Sequence, residues 1–295
     1  MPIPNLAATG RKLKAIRNQQ VAEADRGAVD AAGNLINLPP LCEEFAQHRA
    51  LCAGATGCTL PPKLLEERLI DYDTSAHPFR EIVAGILGVD ATTGLPELHQ
   101  AEFVHTFLKQ QRKLGSTPVD SRYKAAGGCR FHEKLRLCYR EFLREVVLPL
   151  FPDAAEEGGG GLLYQREPNL RCHLPGTGRQ MVLRHCDADY FHQPNELNFW
   201  LPLTPCYGTN TLWVESAAGR GDYRPVEIRV GQMLRFHGHQ CDHFTLPNDT
   251  PHTRLSLDFR VVPQRHFLER YENSHHPNGR PRFGCGAFFA ELADQ

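Results

Sequence analysis

No stretch of this 295-residue sequence approaches the roughly 20 apolar residues that a membrane-spanning helix needs. Net charge is nearly absent as well. The 33 basic and 34 acidic residues leave −1, so no global field draws the chain to nucleic acid or anionic lipid. The ten cysteines include no Cys-x-x-Cys pair, the close spacing on which structural zinc sites usually depend. The segment 1–26 carries Arg11, Lys12, Lys14 and Arg17 but lacks the apolar core of a secretory signal. Reduced thiols and a cytoplasmic location are therefore expected, with organelle targeting left open. What remains, 41% hydrophobic and 23% charged, is enough to bury a sizeable core.

Histidine is what the chain has in quantity: fifteen residues, most of them after residue 184. Organisation divides at Gly158-Gly159-Gly160-Gly161, a run that cannot hold regular structure cheaply and reads as a loop or junction. Before it, apolar residues recur at helical spacing over 62–71, 78–87, 95–114 and 131–151. The last is the clearest, with Leu135, Tyr139, Phe142, Val146 and Leu150 on one stripe and Pro152 as a stop. After it come short strand-like runs at 170–174, 180–185, 197–203, 210–215, 226–230, 232–237 and 253–262. This pattern predicts a mainly β core, a barrel or sandwich, with a helical N-terminal half packed on it. We read the whole as one domain: a mainly helical part over 1–157, a β core over 162–265 and a C-terminal extension over 266–295.

The chemistry-bearing residues cluster in the second half. In a strand, residues two apart share a face, so His185 and Asp187 project together while Arg184 and Cys186 point away. Two imidazoles and one carboxylate with open positions make the facial triad of a non-haem Fe(II) oxygenase centre. The third ligand must come from elsewhere, and His237, His239 and His243 are all candidates. The interval from His243 to Arg254 allows a turn at Pro247-Asn248-Asp249 and a return on a neighbouring strand into the same cavity, which selects His243. Arg254 and Ser256 share a strand face, and guanidinium with hydroxyl can grip the distal carboxylate of a 2-oxo acid.

Plainer readings compete at each position. His-x-Asp is also an ordinary loop hydrogen-bonding pair, and Arg254, Ser256, Asp258 and Arg260 alternate as a solvent-facing strand would. Asn198 and Trp200 share a face and are candidates for lining the co-substrate space, or else a satisfied interior amide and core. Arg171 and His173 share a face too, with a surface role the simpler expectation. The segment 188–195 follows the motif directly and reads equally as a substrate-facing or a plain surface loop. Cys186 and Cys241 are expected to be buried structural thiols.

The runs 184–187, 196–204, 208–216 and 253–261 together resemble the 2-oxoglutarate/Fe(II) dioxygenases of the phytanoyl-CoA hydroxylase superfamily, most closely the branch typified by its streptomycin biosynthesis member. The resemblance spans roughly residues 165–265. It implies a double-stranded β-helix, or jelly roll, with Fe(II) held by His185, Asp187 and His243. It also implies 2-oxoglutarate as co-substrate, gripped by Arg254 and Ser256, with O₂ as oxidant. Iron halogenases of the superfamily carry a small residue where this chain has Asp187, so the resemblance favours oxidation of a small-molecule substrate over halogenation. Zinc-dependent hydrolase or isomerase activity, or non-catalytic binding, is the alternative for such a site.

Overall fold

After the glycine run the chain crosses repeatedly between two antiparallel sheets. The structure, a computed structural model, describes residues 27–43, 46, 57–102, 104, 132–156, 158–269, 271 and 283–292. Its strands are β1 (Ala28–Val29), β2 (Leu35–Asn37), β3 (Arg68–Asp71), β4 (Leu162–Gln165), β5 (Asn169–His173), β6 (Leu197–Pro202), β7 (Trp213–Val214), β8 (Arg224–Pro225), β9 (Gln232–Phe236), β10 (His243–Phe244), β11 (Arg254–Pro263) and β12 (Phe289–Glu291). The larger sheet runs β12-β4-β11-β6-β9-β3, with β5 also paired to β11, and the smaller runs β10-β7-β8. The segment before the His-x-Asp motif joins the smaller sheet beside β10 through a bridge from His185 to His243. In chain order, then, β5, β6, β9 and β11 enter the large sheet, while the His185 segment, β7, β8 and β10 enter the small one. That winding is a double-stranded β-helix.

Side-chain parity separates two cores. Leu197, Phe199 and Leu201 of β6 and Leu255, Leu257, Phe259 and Val261 of β11 face outward into the larger core. There they meet α2 (Phe79–Leu87) and α3 (Glu133–Phe142). Phe142 gathers this layer, with Tyr72, Phe79 and Phe259 edge-on to its ring at 5.1–6.4 Å. The opposite parity, Trp200, Leu234 and Phe236, lines the space between the sheets with Leu212, Val214, Val226 and Ile228.

The helix of 78–87 forms as its spacing predicts, burying Phe79, Val83, Ala84 and Leu87, and ends at Gly88 with φ 71°. The stripe of 131–151 is α-helical only to Phe142. A π turn over Leu143–Val147 then spends more residues per turn, so Leu143 and Val147 are buried where the 3.6-residue period selects Val146 and Leu150. The 62–71 expectation is overturned. Helix α1 spans only Pro62–Leu65, and Arg68–Asp71 is an edge strand on β9. Arg235 of β9 explains the break: its guanidinium takes the Lys63 and Glu66 carbonyls that a continuing helix would have used.

The described part of 27–156 thus contains three strands besides its helices. Of 95–114, the described residues form turns and a 3₁₀ segment over Leu98–Gln100, while 103 and 105–114 lie outside them. Expected strands at 180–185 and 210–215 shrink to a bridge and to two residues. Short helix α4 (Pro152–Ala155) leads into the glycine run. Gly158, Gly160 and Gly161 take φ of 82°, 80° and 70°, and a Cβ on Gly159 would lie 2.1 Å from the Asp153 carbonyl. The run is a tight connector that only glycine fits.

Candidate metal centre

His185 and His243 exchange both backbone hydrogen bonds across their bridge, at 3.2 and 2.8 Å. Such a cross-strand pair puts both side chains on one face, and the ring centroids lie 4.3 Å apart. His185 Nδ1 meets the Leu183 carbonyl at 2.6 Å and His243 Nδ1 the Cys241 carbonyl at 3.0 Å. A nitrogen facing a carbonyl must be the donor, so each Nε2 is left with its lone pair. Both Nε2 atoms face Asp187 Oδ1, at 3.7 and 3.9 Å.

Asp187 reaches this point by a different route from strand alternation. Cys186 is extended, but Asp187 already opens a 3₁₀ turn, Asp187–Tyr190, that Asp189 caps by accepting the Cys186 N–H at 2.9 Å. Two donors organise the carboxylate. Asn198 donates to Oδ2 at 2.6 Å, and Arg260 donates to Oδ2 and Oδ1, both at 2.9 Å. Burial alone would raise this acid's pKa. The Arg260 guanidinium outweighs it and holds the carboxyl well below its ordinary range. Burial pushes His243 down to about 4, so its ring is neutral at physiological pH.

Two imidazole nitrogens and one carboxylate oxygen, all buried and within 4.8 Å of one another, form a donor set that a divalent metal fits. Carbonyl partners on each Nδ1 are the supports that ligating histidines normally have. His237 lies outside the cluster, its Nε2 meeting the Pro194 carbonyl at 2.8 Å, and His239 stacks on it at 5.8 Å. Cys186, Asp189 and Asp242 are also mutually close. Asp189 is engaged by the turn, and Asp242 by the Tyr223 hydroxyl at 3.3 Å and by Arg184 at 3.7 Å.

Arg254 and Ser256 lie further along the same inner face of β11. Arg254 is 1% exposed, donates to the Asn210 carbonyl at 3.0 Å and the Ser256 hydroxyl at 2.9 Å, and lies over the Trp200 ring at 5.7 Å. The solvent-face reading of this alternation is wrong, because the face looks into the space between the sheets. The chain also does not return beside β10: it crosses to the other sheet. Asn198 sits on Asp187 and Trp200 beneath Arg254. Arg171 is partly buried and ion-paired to Asp258 at 2.6 Å. Residues 191–195 are buried, which removes the surface-loop reading, and Cys186 and Cys241 are buried as expected.

Sequence reasoning missed Arg260 and the fully buried Glu196, whose carboxylate lies 3.7 Å from Arg260 and accepts from His192 Nδ1 at 2.5 Å. The signal was present in part: Arg260 shares parity with Arg254 and Ser256.

Fold and site together describe a double-stranded β-helix carrying a buried His-Asp-His cluster. Among known proteins, the chain is 29% identical to the streptomycin biosynthesis protein StrG of Streptomyces griseus over 218 residues, covering 74% of this chain and 92% of StrG. That likeness agrees with the branch named by the sequence resemblance. No protein-family profile matches the chain. Solved structures similar to it include a non-haem monooxygenase, ThoJ, as a nickel complex (14% identity, TM-score 0.43, 68% of this chain and 76% of that one). Another is the non-haem α-ketoglutarate-dependent carbocyclase SnoK from nogalamycin biosynthesis (13%, TM-score 0.42, 80% and 87%). A prolyl-4-hydroxylase from Pseudomonas putida is a third (15%, TM-score 0.33, 76% and 96%).

Proposed function

We propose that this protein is an Fe(II)- and 2-oxoglutarate-dependent oxygenase that hydroxylates, or otherwise oxidises, a small-molecule metabolite with release of succinate and CO₂. One observation carries the reading: a buried His185–Asp187–His243 donor set and a buried Arg254–Ser256 pair face the same space between the sheets, joined along β6 by Asn198 on Asp187 and Trp200 under Arg254. A zinc hydrolase or isomerase has no use for that second feature. Bound at the triad, Fe(II) supplies O₂ activation and one-electron chemistry that no side chain can provide. The rest falls to the chain. His185, Asp187 and His243 hold the metal and leave positions open. Arg260 and Asn198 turn the Asp187 carboxylate so that Oδ1 faces the two imidazoles.

Arg254 and Ser256 bind the distal carboxylate of 2-oxoglutarate and set the co-substrate's orientation. Trp200, Phe236 and Tyr190 wall the centre with aromatic surface; Phe236 is edge-on to His243 at 5.2 Å and Tyr190 to His185 at 4.8 Å. Retention of Asp187 favours oxygenation over halogenation, and similarity to a streptomycin biosynthesis protein fits a small metabolite as substrate. The test is succinate formation from 2-oxoglutarate under air with Fe(II) and ascorbate. Arg254→Ala should raise the requirement for 2-oxoglutarate far more than that for iron. A protein that binds neither iron nor 2-oxoglutarate would refute the reading.

A further inference from the structure

Of the three charged side chains on the inner face of β11, two are neutralised. Arg260 is paired with Asp187. Asp258 is taken by Arg171 at 2.6 Å and by the Asn169 amide at 2.8 Å. Arg254 has only the Asn210 carbonyl and the Ser256 hydroxyl, with no carboxylate at ion-pairing distance among the described residues. A buried guanidinium without an anion is costly, and the cost is recovered when an anion binds.

Beside it, at the end of β5, stands His173. It pairs across the ladder with Arg254, so both side chains leave the sheet on the same face. His173 is 2% exposed, and neither ring nitrogen completes a hydrogen bond of good geometry among the described residues, although the Arg179 and Asn210 backbone lies near enough to act on the ring. Buried polar groups of that kind are rare and call for a reason. The residue is held firmly. The Asn248 amide donates to the carbonyls of His173 and His252, each at 2.9 Å, tying the end of β5 to the turn that leads into β11. Burial, then the Arg254 charge, pushes the imidazole down to about 3, so it is neutral and one ring nitrogen carries a hydrogen.

We propose that His173 is a third binding residue for the distal carboxylate of a 2-oxo diacid, donating its ring N–H to the oxygens that Arg254 and Ser256 hold. This rests on the oxygenase reading above. It accounts for a feature that reading leaves unexplained, a buried imidazole whose nitrogens complete no well-formed hydrogen bond, next to an unneutralised cation.

The test is calorimetric titration of Mn(II)-loaded protein with 2-oxoglutarate and with pyruvate, which has the 2-oxo acid group but no distal carboxylate. His173→Phe should weaken 2-oxoglutarate binding about tenfold or more, the loss expected for a hydrogen bond to a charged group, and leave pyruvate unchanged. His173→Gln keeps a donor and should retain most of the affinity. The metal-free His173→Phe protein should melt at least as high as wild type, because an apolar ring replaces an unpartnered polar one. Unchanged 2-oxoglutarate affinity in His173→Phe, or an equal loss for both acids, would overturn the proposal. So would failure of both variants to fold, which would make the ring a structural support. A wild-type protein that binds neither acid would instead overturn the oxygenase reading itself.

Discussion

At the scale of single residues, the centre depends on which atoms are already occupied. Backbone carbonyls take Nδ1 of His185 and His243, and this alone directs Nε2 of each toward Asp187. Alanine at His185, Asp187 or His243 should therefore abolish stoichiometric Fe(II) binding measured by metal analysis after anaerobic loading. His239→Ala should leave it intact; the reverse result would assign the third ligand to His239. Arg260 is a different kind of residue, since its value lies in the pair it makes. Asp187 and Arg260 are both buried, so Arg260→Met leaves a carboxylate in the interior without its counter-charge. Breaking a buried pair from one side should cost about 3–5 kcal/mol. Denaturant unfolding of the metal-free variant checks this, and a loss below about 1 kcal/mol would show that water reaches Asp187.

At the scale of elements, the centre is assembled by approaches between short segments. Asp187 N–H donates to the Gly238 carbonyl at 2.7 Å, and a Cβ on Gly238 would lie 2.7–2.8 Å from the Asn198 side-chain amide. The 238–242 turn can therefore pass this close to β6 only with glycine. Gly238→Ala should push Asn198 off Asp187, destabilise the protein by about 1–3 kcal/mol as overpacking does, and weaken iron binding. Adding Asn198→Ala removes the clash, so the double variant should recover stability relative to Gly238→Ala. Purely additive losses in that cycle would mean the two positions do not touch.

At the scale of the whole molecule, the wound sheets bury several imidazoles together, and pH stability should report it. His173 and His239 are both pushed down to about 3, by burial first and then by Arg254 and His237 respectively. Unfolded imidazoles titrate near 6.5, so between those values the unfolded chain binds more protons. Stability of the metal-free protein should therefore fall as pH drops below about 6.5 and keep falling toward about 3. Asp187, held below its ordinary range, contributes stability that is lost only under more acidic conditions, and so does not mask the imidazole effect. Thermal melts from about pH 7.5 to about pH 4.5 test this. A midpoint that stays level through pH 6 would show that these rings are hydrated.

Local pattern by itself determined the mainly β second half, the helix at 78–87 and the placing of His185, Asp187, Arg254 and Ser256 as one candidate set. Parity and turn signals act over a few residues; Arg254 and Ser256 obey them, whereas Asp187 joins His185 through a 3₁₀ turn rather than by strand alternation. The pairing of Arg68–Asp71 with β9, the π turn that shifts the α3 stripe and the two-residue length of β10 lay beyond it, because each is decided by a partner distant in the chain. So does the choice of face. Alternation along β11 reads alike for solvent and for a buried polar interior, and only the second sheet closing over Arg254, Ser256 and Arg260 decided between them. Burial is a property of the assembled layers, and it turns a strand's ordinary polar face into a charged site.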